Sequence, residues 1–276
     1  MDHRDIELLA AARAGDPRSV DTLLARHQRQ LFRFGLRMCG NEDEAREVLQ
    51  ETLLAAFRGL PDFRGDAKLS TWLYQIARSF CLKSRRRGSG EPTTTVPIDE
   101  PEASRMPSTD ATPDAKAHAR EMGELLHAAI LSLPENHREV IVLRDVEGLT
   151  ADEAAEILGI EEGALKSRLH RARMELRQRL LAVMGEEGKP GEAQCPDLAE
   201  ELSRYIAEEI DQATCARIEE HLQSCPRCAN TCASLRRTVS FCKQIPGDDV
   251  PAPVRAAVRA ALLAATSKHR TRPDHP

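Results

Sequence analysis

The stretch from Leu133 to Arg173, LPENHREVIVLRDVEGLTADEAAEILGIEEGALKSRLHRAR, decides the fold. It breaks into three helical patterns. Pro134 suits the first helical position, where the N–H that proline lacks has no partner anyway. Thr150 followed by Glu153 is a capping box, which predicts a second helix over 151–158. Gly159 then turns the chain into a third helix, over about residues 162–181. A short helix, a tight glycine turn and a long basic helix make a helix-turn-helix. In the third helix Leu165, Leu169, Ala172 and Leu176 form an apolar stripe that docks it. Lys166, Arg168, Arg171, Arg173, Arg177 and Arg179 surround the stripe, with Ser167 and His170 between them. Such side chains suit phosphates and base edges in a major groove. The same pattern also describes a solvated amphipathic helix.

Four more helical patterns precede this stretch. Residues 5–14 are one. In the second, Leu23, Leu24, Leu31, Phe34 and Met38 share a face and Gly40 is the stop. Asn41 caps the third, whose acidic first turn suits the positive end of the helix dipole. After a loop from Pro61 to Asp66, the fourth carries Leu69, Leu73, Ile76 and Phe80 at helical spacing and ends in KSRRR, Lys83 to Arg87. Between the two helical sets, five prolines (92, 97, 101, 107 and 113), a threonine run and several acids read as a flexible tether.

Composition agrees with an all-α chain. Hydrophobic residues make up 41% of the 276 and aromatics only 3%. Ala, Leu, Glu and Arg dominate, and these lose little freedom in a helix. The net charge of −5 argues against nucleic acid on average, yet the basic runs at 83–87 and 166–179 set the local potential. The N-terminus has no signal-peptide pattern and no stretch reaches the ~18 apolar residues a membrane helix needs. The expected compartment is the cytoplasm, with reduced thiols and no membrane partner.

EVLQETLLAAFR, FRGDAKLSTWLYQIAR and the opening stretch, in that order, resemble the two conserved regions of extracytoplasmic-function (ECF) sigma factors over roughly residues 5–182. The resemblance implies a four-helix region-2 domain (1–88), a linker (89–117) and a helix-turn-helix region-4 domain (118–184). Both domains would dock on bacterial RNA polymerase core and read promoter DNA. It implies that Asp43, Glu47, Gln50 and Glu51 meet the polymerase clamp. Arg64, Lys68, Ser70 and Trp72 would hold a flipped promoter base, although Trp72 equally suits a core position. Arg78, Lys83, Arg85, Arg86 and Arg87 would meet phosphates. The chain departs from the family where Glu161 replaces a Ser or Thr cap and Ala164-Leu165 replaces Thr-Val, which bears on upstream-element specificity.

A second linker, 185–191, leads to a segment, 192–246, that holds six of the eight cysteines. Cys195 is followed after 25 residues by His221, then by three residues to Cys225 and two to Cys228. Three thiols and an imidazole are the donor set of a closed zinc site. The spacing resembles the zinc-binding anti-sigma domain, a small helical module that wraps sigma factors, and sigma factors with a Cys-rich extension respond to metals. A small helical zinc-binding domain is therefore expected here, in contact with the sigma domains. Zinc is the expected ion and cadmium the alternative; without a Cys-x-Cys pair, copper is less favoured. Cys228, Cys232, Leu235, Val239 and Cys242 share one helix face. Cys232 and Cys242 are thus core residues or, with Cys215, extra ligands. In residues 247–276, Val254, Val258 and Leu262 are spaced for a helix that either packs on the sigma domains or frays. A helix-turn-helix regulator with structural zinc and a thiol-redox sigma factor remain alternatives. An enzyme is not expected, because four protein ligands leave a zinc ion no open position.

Overall fold

The computed structural model describes residues 3–14, 16–65, 67–88, 113–184, 199–207, 209–244 and 249–270, with helices and turns but no strand among them. No helix among these residues is long and apolar enough to cross a membrane.

The front module contains α1 (His3–Arg13), α2 (Pro17–Cys39), α3 (Glu42–Gly59) and α4 (Leu69–Gly88). Asp16 caps α2 by accepting from the N–H groups of Arg18 and Ser19. Gly40 ends α2 at φ +93°, in the left-handed region glycine enters without strain, and donates its N–H to the Leu36 carbonyl. Asn41 accepts from the Glu44 N–H and opens α3. Leu23, Leu24, Leu31, Phe34 and Met38 are fully enclosed, as the periodicity of α2 predicts. The four residues of α4 set at helical spacing all reach the core. Leu69, Leu73, Tyr74, Ala77 and Cys81 are buried, whereas Ile76 and Phe80 are only half-buried. A helix of the next module also packs against α4.

That next module contains α5 (Pro113–Ser132), α6 (Glu135–Ile141), α7 (Ala151–Leu158) and α8 (Glu162–Val183). Pro134 is the N-cap of α6, one residue ahead of the expected position. A π-helical turn, Val142–Val146, extends α6. Both hydrogen bonds of the Thr150–Glu153 capping box form, at 3.2 and 2.8 Å. Gly159 makes the turn at φ +66°. Glu161 makes no side-chain cap. Leu165, Leu169, Ala172 and Leu176 dock α8, each at most 2% exposed. Helix α5 begins within the span 89–117 read as linker; residues 89–112 and the second linker at 185–191 lie outside the described residues.

The Cys-rich module contains α9 (Ala199–Ile206), α10 (Gln212–Ser224) and α11 (Pro226–Gln244). Its own buried apolar cluster is small: Leu202, Ile218 and Cys232. The far end of α11 joins the main core instead through Cys242. The last helix, α12 (Ala252–Arg270), folds back across the molecule and packs on α3 and α2. Val250, Val254, Val258 and Leu262 are each 5% exposed or less, so this helix docks rather than frays. Asp249 pairs with Arg29 of α2 at its root.

Candidate functional site

Two helix ends build the metal cluster. Asp211 caps α10 by accepting from the Thr214 N–H at 2.9 Å. His221 lies in the last turn of that helix, and Cys225 follows as its C-cap, donating its N–H to the His221 carbonyl at 2.9 Å. Pro226 starts α11 at once, which brings Cys228 back toward Cys225. The ligand atoms of His221, Cys225 and Cys228 all lie within 4.8 Å of one another. The Nε2 of His221 is buried without a hydrogen-bond partner, an arrangement that a metal bond would satisfy. Two thiols and an imidazole fit zinc or another soft ion.

Of the other cysteines proposed from sequence, Cys195 lies outside the described residues. Cys232 faces the small apolar cluster of its module, and Cys242 faces the main core. Burial pushes both thiols up, Cys242 well up. Cys215 contacts Glu219 Oε1 at 3.4 Å. These three do not join His221, Cys225 and Cys228, the cluster found among the described residues.

The helix expected to read DNA is in contact with this same module. Helices α9 and α11 pack on α8. Arg173, only 2% exposed, donates to both oxygens of the equally buried Asp145, at 2.9 and 2.6 Å. Its third nitrogen donates to the carbonyl and hydroxyl of Ser203 in α9, at 2.8 and 3.0 Å. Burial opposes the Arg173 cation, but Asp145 beside it outweighs that and holds the charge. Arg173 therefore points inward, a consequence of its sharing the docked side of α8 with Ala172 and Leu176. Arg177 donates to the Ser234 hydroxyl in α11 at 2.9 Å. Arg144 pairs with Glu209 just ahead of α10. Lys166 pairs with Glu162 on its own helix; Ser167, Arg168 and His170 are half-buried, and Arg171 is exposed.

The front module's cations meet carboxylates of the helix-turn-helix. Lys68 pairs with Glu153 at 2.6 Å and Arg85 with Glu135 at 3.2 Å. Arg78 reaches both oxygens of Glu139, at 2.6 and 3.3 Å. Arg33 forks onto Glu147 at 2.7 and 2.5 Å, and the Tyr74 hydroxyl donates to the same carboxylate at 2.8 Å. Arg64 and Lys83 are exposed, and Ser70 is half-buried. Trp72 is half-buried against Phe63, with ring centroids 4.9 Å apart. The side chains of Arg86 and Arg87 lie outside the described residues. On α3, Asp43 and Glu47 are exposed while Gln50 and Glu51 are half-buried. Glu47 and Glu51 line a cleft of about 160 Å³ with Phe80 and Lys83. Sequence reasoning missed Glu135, Glu139, Glu147 and Glu153. They act on partners as far as 114 positions away; Glu153 is marked locally only as a helix cap, and no local pattern marks the pairing of any of the four.

A four-helix module, a helix-turn-helix and a Cys/His cluster at metal spacing define a helical, DNA-reading transcription factor with a metal module. Residues 23–90 match the Sigma-70 region 2 family and residues 123–176 the Sigma-70 region 4 family. Residues 195–229 match a zinc-finger family, a span that runs from Cys195 past Cys228. The chain is 36% identical over 181 residues to ECF RNA polymerase sigma factor SigM of Mycobacterium tuberculosis, covering 65% of this chain and 86% of that one. It is 33% identical over 162 residues to ECF RNA polymerase sigma factor SigE of Mycolicibacterium smegmatis, covering 59% and 62%. Among solved structures, CnrH in complex with the cytosolic domain of CnrY aligns with a TM-score of 0.48 at 26% identity, covering 67% of this chain and 99% of that one. The chain belongs to the ECF RNA polymerase sigma factors, a family of transcription factors and not of enzymes, and carries a C-terminal Cys/His cluster capable of holding a metal.

Proposed function

We propose that this sigma factor is held in check by its own C-terminal residues and that a metal ion, zinc in the resting state, keeps that restraint folded. In the released form the front module and helix-turn-helix dock on bacterial RNA polymerase core and read a promoter. Asp43, Glu47, Gln50 and Glu51 face the polymerase clamp. Arg64, Lys68, Ser70, Trp72, Arg78, Lys83, Arg85 and Arg86 face downstream promoter DNA. Lys166, Ser167, Arg168, His170 and Arg171 face the upstream element, while Arg173 braces the same helix from behind.

The observation that carries this reading is the position of α9 and α11 on α8, with Ser203 and Ser234 accepting from Arg173 and Arg177. Bound at Arg173 and Arg177, α9 and α11 fix the C-terminal half of α8 to the metal module, and in this reading promoter docking requires that half to be let go. Two further sets of contacts support it. Helix α12 packs on α3, the helix assigned to the clamp. Glu153, Glu139 and Glu135 occupy the cations of Lys68, Arg78 and Arg85 where phosphates would stand. Metal control follows from size. Among the described residues the module's separate cluster is three residues, with Leu235 and Val239 buried outside it, a small core for three helices, so the ion stabilises the docked form. Cys195 supplies a fourth ligand. Loss of the ion, or its replacement by a softer one such as cadmium, favours release.

Transcription with purified polymerase core tests this. The zinc-loaded chain is compared with the chelator-treated chain and with a chain ending at residue 191. Release by either route is expected to raise promoter-dependent transcript roughly ten-fold or more, a shift of about 1.4 kcal/mol. Equal activity of the zinc-loaded and truncated chains overturns self-restraint. An active truncation beside a chelator-insensitive full chain overturns metal control alone.

A further inference from the structure

Two cysteines take no part in the metal cluster or in the restraint. Cys39 is the last residue of α2, and Cys81 lies in the middle of α4. Their Sγ atoms are 3.5 Å apart, although 42 positions separate them in sequence. Cys81 is fully enclosed, while Cys39 is half-buried and reaches the edge of the core. A buried cysteine alone is an ordinary small core residue. Two sulfurs at van der Waals contact from different helices, one of them accessible, are arranged for chemistry with each other.

We infer that Cys39 and Cys81 form a peroxide-reactive dithiol that closes to a disulfide, a modification site separate from the metal ligands. The reaction balances with one peroxide per pair. The Cys39 sulfur attacks one peroxide oxygen, the O–O bond breaks, and the leaving hydroxide departs as water with the thiol proton. Cys39 is then a sulfenic acid. The Cys81 sulfur attacks the Cys39 sulfur, the S–O bond breaks, and the hydroxyl leaves as a second water with the Cys81 proton. Two sulfurs lose two electrons in all, and the peroxide takes them up. Bonding needs the sulfurs to approach by about 1.5 Å, within reach of side-chain rotation at a helix end. The thiol contact with Cys39 and its burial push the Cys81 thiol well up, so Cys81 waits protonated and the first attack falls to Cys39.

The place of the pair gives the bond a consequence. A Cys39–Cys81 link closes a loop that contains the whole of α3, the helix that α12 covers. Its α2 end adjoins the contact between front module and helix-turn-helix. Met38 there accepts from Arg138 at 2.8 Å, and a Cβ on Gly40 would lie 3.0 Å from Leu131. The bond tethers α2 to α4 beside that contact and leaves the helices of the metal module unlinked.

The test uses the full zinc-loaded chain, hydrogen peroxide and a non-reducing tryptic digest read by mass spectrometry. Cys39 falls in the peptide Met38–Arg46 and Cys81 in Ser79–Lys83. The two peptides are expected to appear joined, two hydrogens lighter than their sum, and to part on reduction with dithiothreitol. Both thiols should disappear in equal proportion as peroxide is added. Linkage of either cysteine mainly to one in 195–242, or oxidation of Cys39 to sulfinic acid with Cys81 untouched, overturns the inference. A Cys81→Ser variant sharpens it. Cys39 should then persist as a sulfenic acid that dimedone labels, several-fold more than in the parent chain. Equal labelling in the two chains refutes Cys81 as the resolving thiol, and the peptide map of the parent decides the matter even if the variant folds poorly.

Discussion

The sigma body and the metal module are both small helical bundles, yet they are held together in different ways. The body, α1 to α8, shares one apolar core in which α2 alone encloses Leu23, Leu24, Leu31, Phe34 and Met38 completely. Among the described residues the module's separate cluster is Leu202, Ile218 and Cys232, with Leu235 and Val239 also buried on α11. It leans on other supports: the convergence of His221, Cys225 and Cys228, and hydrogen bonds from Arg173 and Arg177 of the body. A region with a full core stays folded whatever binds it. A region that depends on an ion and on a neighbour's surface folds, docks and lets go together. That difference is what allows one chain to contain both a promoter reader and its restraint.

The comparison breaks most sharply if the ion is removed. Chelation, or Cys228→Ser, is expected to cost the module on the order of 10 kcal/mol of folding free energy. Amide exchange should accelerate throughout α9–α11 while α2 and α3 stay protected. Unchanged protection of α9–α11 in a metal-free chain would show that the module has a sufficient core of its own. Next in size is Arg173→Ala. It leaves Asp145 buried and unpaired, both side chains now being 3% exposed, and should destabilise the chain by about 3–5 kcal/mol in urea unfolding. The same variant removes donors to Ser203, so exchange in α9 should rise as well. Smaller again is Val258→Ala, with a loss of about 2 kcal/mol from the docking of α12 on α3. Exchange in α12 should increase, with metal stoichiometry unchanged.

The effect confined to acid pH concerns the contact between the two halves of the body. His127 Nδ1 lies 2.6 Å from Arg37 Nη1. Burial, with the Arg37 and Arg138 cations, holds His127 down at about 4 from its ordinary 6.5. The unfolded chain therefore takes up the proton first. This contribution to stability is whole above pH 6.5 and is lost as the pH falls toward 4. Thermal midpoints should fall across that window, and His127→Gln should flatten the slope there. An unchanged slope in the variant would place the acid sensitivity elsewhere.

Much of this architecture is legible in the chain itself. Local rules suffice where a helix end or a one-sided stripe is concerned. Asn41, Thr150 with Glu153, and Gly159 punctuate the helices where they stand because each satisfies backbone groups within four residues of itself. The Cys225–Cys228 spacing brings its sulfurs together for the same reason. The spacing of Leu69, Leu73, Ile76 and Phe80 on α4 finds residues that reach the core, but not Tyr74, Ala77 and Cys81, which are buried as well where α2, α3 and α7 also pack on that helix. Cys232 and Cys242, equally suited by spacing to be ligands or core, are sorted only by what surrounds them.

The sequence by itself determined the helices, their caps, the family and the three residues that can grip an ion, since these depend on neighbours a few positions apart. The tertiary structure alone decided which surfaces are open. Lys68, Arg78 and Arg85 carry no mark in the chain of the distant glutamates that neutralise them, and nothing local to α3 foretells that α12 will lie on it. The reason is that charge pairing and apolar docking act through space between segments many tens of residues apart, and only the folded path of the backbone brings those segments within reach.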